Sequence, residues 1–179
     1  SLGLIPALKA DSWSGNEPLL SSGVPPNFAE AIRSVRTNVL FSSAEDGPRS
    51  LVVTSTGPGE GKTLVAANLA ISFAQAGQRV LLIDGDMRRP RVHDVFRQNQ
   101  EPGLSNLMVG HAAPSACIRK SSVVGLWLLT AGRVPPNPAE LVGSQRFKEF
   151  IRSLGEHFDS VILDTPPALA VTDAAIAAS

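Results

Sequence analysis

An apolar run, Leu51-Val52-Val53, leads into Thr56-Gly57-Pro58-Gly59-Glu60-Gly61-Lys62-Thr63, and that octet opens a helical pattern, Leu64-Val65-Ala66-Ala67-Asn68-Leu69-Ala70. A strand, a glycine loop and a helix in that order form a phosphate cradle, and few folds accommodate one. Glycine lets backbone N–H groups turn toward a single point, and the helix start adds unpaired N–H donors and the positive end of a dipole. In this frame Lys62 reaches the β- and γ-phosphates and the Thr63 hydroxyl holds Mg²⁺. The residues expected to touch nucleotide are Gly57, Pro58, Gly59, Glu60, Gly61, Lys62, Thr63 and Leu64. The first position of the strict pattern is Thr56 instead of glycine. A plain glycine-rich turn is the alternative, but it leaves the Lys-Thr pair on the first helical turn unexplained.

The remaining chain suits one α/β domain. Its 179 residues are 43% hydrophobic and 18% charged, a globular balance. Net charge is zero, so the domain as a whole is no polyanion binder and no nucleic-acid partner is expected. Cys117 stands alone, which rules out an internal disulfide, and a small buried apolar role is expected for it. No apolar run reaches the roughly 18 residues of a spanning helix. The opening residues lack a basic region of the signal-peptide kind. The chain has no initiator Met, and Thr172 to Ser179 read as a helix without a stop signal, as expected of a piece of a longer polypeptide.

Residues 1–27, with Pro6, Pro18, Pro25 and Pro26, read as an extended lead-in of the kind that follows a membrane segment, and residues 28–179 as the domain proper, incomplete at its C-terminus. Asn27 is placed to cap a helix from Phe28 to about Phe41. Glu30, Arg33 and Arg36 lie three apart on it, a slanting row on one face. By itself that row reads as a solvated, salt-bridged surface. A second strand, Arg79 to Asp84, is a continuous apolar run suited to the middle of a parallel sheet. It ends in Asp84-Gly85-Asp86-Met87-Arg88-Arg89-Pro90, and ligands in open α/β sheets bind at the carboxyl ends of strands. A third strand, Leu126 to Thr130, runs into the proline-restricted loop Gly132 to Pro138, and a fourth, Ser160-Val161-Ile162-Leu163, ends in Asp164. That last aspartate matches the acidic element that holds Mg²⁺ in phosphate-loop enzymes. Strands alternating with helices predict a three-layer α/β/α fold around a mostly parallel sheet. His93, His111 and His157 have no metal-ligand spacing.

Five segments together resemble the bacterial tyrosine kinases, the cytoplasmic P-loop domains of capsule and exopolysaccharide co-polymerases: Glu30 to Asn38, Gly57 to Thr63, Leu81 to Arg88, Gly132 to Leu141, and Val161 to Pro167. They follow the family's order from about residue 28 to about 175. The resemblance implies a fold like the MinD/ParA ATPases, with ATP and Mg²⁺ as cofactors and tyrosine-containing proteins as substrates. It implies that Lys62, Asp84, Asp86 and Asp164 carry the chemistry, with Thr63, Asp86 and Asp164 at the metal and Asp84 as base or orienter for the tyrosine hydroxyl. It also implies that Glu30, Arg33 and Arg36 dock on a neighbouring subunit to build a ring. The setting would be the cytoplasmic face of the bacterial inner membrane, beside a transmembrane co-polymerase region on the same or a partner chain. Two departures stand out. These residues contain no tyrosine, the family's C-terminal phosphate acceptor, and Gly57 occupies the place of the MinD/ParA signature lysine. The first leaves a second reading open, a nucleotide-gated ring-assembly module without tyrosine autophosphorylation. A cluster-assembly scaffold ATPase is a third, disfavoured by the absence of a Cys-x-x-Cys pair.

Overall fold

A computed structural model describes residues 2–8, 19–42, 49–55, 57, 59 and 61–166. The helix expected at 172–179 lies outside them. The elements are α1 (Pro26–Ser42), β1 (Arg49–Val53), α2 (Lys62–Gln75), β2 (Val80–Asp84), α3 (Val92–Val95), α4 (Leu104–Met108), α5 (Pro114–Cys117), β3 (Ile118–Lys120), β4 (Leu126–Leu129), α6 (Pro138–Val142), α7 (Gln145–Leu154) and β5 (Ser160–Asp164).

The sheet runs β1-β5-β2-β4-β3. β1, β5, β2 and β4 are mutually parallel, and β3 closes one edge antiparallel to β4. β2 and β5 are buried at every position, which explains their unbroken apolar runs. Alternation along them serves both faces. Val80, Leu82 and Ile162 point to the α1/α2 side, with Ile71 and Phe73, while Leu81, Ile83, Val161 and Leu163 point to the side covered by Leu104, Phe147 and Leu154. Three layers result, as the alternation of elements predicts.

Local signals fix several ends. Gly77 follows α2 at φ 90°, the left-handed stop read from sequence. The Ser144 hydroxyl accepts from Phe147 N at 3.2 Å and caps α7. Cys117 is buried in the core, and burial pushes its thiol pKa up. Two expectations need correction. α1 begins at Pro26, so Asn27 lies inside the helix and caps nothing; the preset φ of proline suits the first helical position better. A fifth strand, β3, was not expected, because Ile118-Arg119-Lys120 is too short and polar to show a strand pattern.

Described residues ahead of α1 pack on the domain. Leu19 joins the core, Leu20 N donates to Asn68 Oδ1 at 2.8 Å, and Asn38 Nδ2 donates to Leu2 O at 2.8 Å. Gly103 sits where a side chain has no room: a Cβ there would stand 2.3 Å from Thr130 O and 2.4 Å from Gly132 N. Both neighbours are backbone and cannot turn aside. Gly103→Ala is expected to lower unfolding free energy by about 1–3 kcal/mol, as overpacked sites do. A urea melt should show a lower midpoint at unchanged slope.

Candidate active site

The parallel register sets the site. Asp84 and Asp164 are paired residues at the carboxyl ends of β2 and β5, and β5 lies between β2 and β1, the strand that feeds the glycine loop. Adjacent strand ends therefore deliver Lys62, Thr63, Asp84, Asp86 and Asp164 to one rim. Lys62 Nζ is ion-paired with Asp164 Oδ1 and stands 3.9 Å from Asp86 Oδ2. Thr63 Oγ1 donates to Asp164 Oδ2 at 2.8 Å. Both residues expected on the first turn of the phosphate helix thus converge on the second acidic element.

Gly59 and Gly61 have φ of 79° and 74°, and among the described residues nothing lies within 4 Å of where their side chains would be. Gly61 precedes α2 in the left-handed conformation and receives Val65 N at its carbonyl, 3.1 Å away. The loop is therefore shaped by glycine and open on its outer side. Gly57 and Leu64 are half-buried beside it, and Pro58 and Glu60 lie outside the described residues. A cleft of about 520 Å³ runs along this loop. Lys62, Thr63 and Asp86 line it together with Arg88, Arg89 and Arg91. Its donor set fits a magnesium nucleotide: one ammonium, backbone N–H at a helix start, a hydroxyl and the Asp86 carboxylate, with the buried Asp164 bonded to the first and third. Among the described residues no group of three or more His, Cys, Asp and Glu encloses an ion by itself. Mg²⁺ binding mainly through water and phosphate oxygens is consistent with that sparse set.

Asp84 and Asp164 are both wholly buried and neither lines the cleft, whereas Asp86 does. Asp84 differs from Asp164 in its partners. Its Oδ1 accepts from Asp86 N at 3.1 Å, and its Oδ2 accepts from Arg91 N and Val92 N at 2.9 and 3.0 Å. Burial, with the charge of Asp164 second, pushes its pKa up to about 7 against those donors. Burial also raises Asp164, while Lys62 and Thr63 hold it back. Sequence reading places Asp84 at the rim but cannot show that its carboxylate is spent on pinning the following loop.

On α1, which packs against α2, Glu30 and Arg33 are exposed. Arg36 is half-buried, and its Nη1 donates to Ser72 O at 3.0 Å and Ser72 Oγ at 3.1 Å. The sequence row is thus divided between an outward pair and a residue tied to the phosphate helix. Sequence reading missed Ser72, since a serine inside a helical run carries no signal of a distant partner.

Asp84→Asn should cost about 1–3 kcal/mol, because its amide cannot accept both sets of backbone N–H groups. Calorimetry should show this as a Tm lower by several degrees.

The fold has known counterparts. Residues 49–179 match the model of a family described as an AAA domain. The putative tyrosine-protein kinase CapB of Staphylococcus aureus is 43% identical over 149 residues, 83% of this chain and 65% of that protein. The tyrosine-protein kinase etk of Escherichia coli K12 is 40% identical over 162 residues, 90% of this chain and 22% of that protein. The chain thus spans less than two thirds of either curated relative. The solved kinase domain of Escherichia coli ETK superposes with a TM-score of 0.85 at 36% identity, covering 98% of this chain and 72% of that one. The septum site-determining protein MinD of Pyrococcus horikoshii, solved with Mg-ADP, superposes with a TM-score of 0.57 at 25% identity, over 65% of this chain and 48% of that one. At these identities, coverages and superpositions, the chain belongs to the bacterial tyrosine-kinase family of P-loop domains, with a MinD-like fold.

Proposed function

We propose that this chain is the catalytic core of an ATP-dependent protein-tyrosine kinase that regulates capsule or exopolysaccharide polymerisation at the cytoplasmic face of the bacterial inner membrane. The observation that carries the reading is the meeting of Lys62, Thr63 and Asp86 along one cleft, with the buried Asp164 bonded to Lys62 and Thr63. Bound Mg-ATP supplies the transferable phosphoryl group. The protein's share is positioning and charge neutralisation, since this transfer asks little covalent chemistry of side chains. Lys62 neutralises the β- and γ-phosphates, aided by the loop from Gly57 to Leu64 with Pro58 and Glu60. Thr63, Asp86 and Asp164 serve the metal. Asp84 acts as orienter, because its three backbone donors fix the loop that presents Asp86.

Glu30, Arg33 and Arg36 build the ring interface, the first two from the exposed face of α1. No described helix is long and apolar enough to cross a membrane, so the co-polymerase's spanning part lies outside the described residues, here or on a partner. Because the 179 residues contain no tyrosine, the acceptor comes from other residues or another protein.

A second reading is a nucleotide-gated assembly module, and the Arg36–Ser72 bonds favour it by joining the interface helix to the phosphate helix. If it holds, oligomer size by light scattering should change with nucleotide and with Arg33→Ala plus Arg36→Ala. If size ignores both, the module is rejected.

For the kinase, the full-length protein should phosphorylate tyrosine peptides with Mg-ATP. Lys62→Met and Asp164→Asn should each lower that rate at least about 100-fold, the scale of losing one preorganised charge contact, with circular dichroism unchanged. Normal ATP binding without any tyrosine phosphorylation by the unmodified protein would reject the kinase.

A further inference from the structure

We infer that Arg88 and Arg89 form an acceptor-side subsite that selects tyrosines flanked by acidic residues. The inference rests on the kinase reading and concerns the same cleft. Both guanidinium-bearing residues line that cleft from the loop between β2 and α3, the wall that does not belong to the phosphate loop. Both are exposed, and neither guanidinium forms a hydrogen bond or ion pair among the described residues. Lys62 is paired with Asp164 and Asp86, so the nearby carboxylates already have a cation. In a chain of zero net charge, two uncommitted arginines at the mouth of a cleft are a local excess that attracts an anion.

The arginines also stand on a rigid base. Asp84 holds the loop at Asp86, Arg91 and Val92, and Asp86 Oδ1 accepts from Arg89 N at 3.1 Å. Met87, between Asp86 and Arg88, is buried in the core at 1% exposure. The backbone under the pair is therefore fixed before any ligand arrives, and little entropy is lost when the forks engage a carboxylate. An anion in this place has two possible sources, the nucleotide's own phosphates or a carboxylate on the acceptor. The acceptor is favoured because the phosphate loop and Lys62 already offer donors for a triphosphate, while Arg88 and Arg89 stand on the other wall, exposed to solvent.

The test uses the full-length protein and two tyrosine peptides, one with Asp or Glu on both sides of the tyrosine, the other with Asn and Gln there. The unmodified protein should prefer the acidic peptide by about tenfold or more in kcat/KM at low salt, a preference that fades at high salt. Arg88→Gln with Arg89→Gln should abolish the preference while KM for ATP stays within about twofold, the mark of a contact to the acceptor. Arg88→Glu with Arg89→Glu should invert it toward a Lys-flanked peptide. Equal losses for both peptides, or a rise in ATP KM that accounts for the loss, would place the arginines on the nucleotide and overturn the inference. Fluorescence anisotropy of the labelled acidic peptide, with a non-hydrolysable ATP analogue bound, separates this inference from the kinase reading. Arginine-dependent binding without phosphorylation sinks the kinase and keeps the acidic subsite; phosphorylation without charge preference does the reverse.

Discussion

Two aspartates buried side by side set the terms for this molecule. Asp84 and Asp164 face each other across neighbouring parallel strands, and both are fully withdrawn from water. Like charges in such surroundings are costly. The fold answers with different means on each side. Asp164 receives an ammonium and a hydroxyl from the start of α2. Asp84 receives three backbone N–H groups from its own loop. The arrangement ties the phosphate helix to β5 and the β2 loop to β2, so the two walls of the cleft are built outward from one carboxylate pair.

Much of this was legible in the chain because it is local or periodic. The apolar runs at Val80–Asp84 and Ser160–Asp164 declared buried parallel strands, and the glycine loop declared the turn before α2. Parallel strands ending in acid then bring Asp84, Asp86 and Asp164 toward Lys62, since equal strand length sets their ends level. Ser144 and Gly77 punctuate helices by rules a sequence carries openly.

What the chain did not reveal depends on contacts across long separations. Asp84 and Asp86 are two residues apart and look alike, yet one is spent inside the loop and the other faces the cleft, a distinction made by Arg91 and Val92 coming round to the first. Arg36 reads as one member of a surface row until Ser72, 36 residues away, takes two bonds from it. β3 owes its strand conformation to β4 and not to its own composition.

Leu19 and Leu20 carry a practical consequence for anyone cutting this domain free. Proline and serine content invites a clean start near residue 27. Such a truncation would strip an apolar plug from the α1/α2 layer and remove the amide that Asn68 accepts. The cooperative unit begins ahead of its first helix, and an expression boundary drawn by composition would trim away part of its hydrophobic interior.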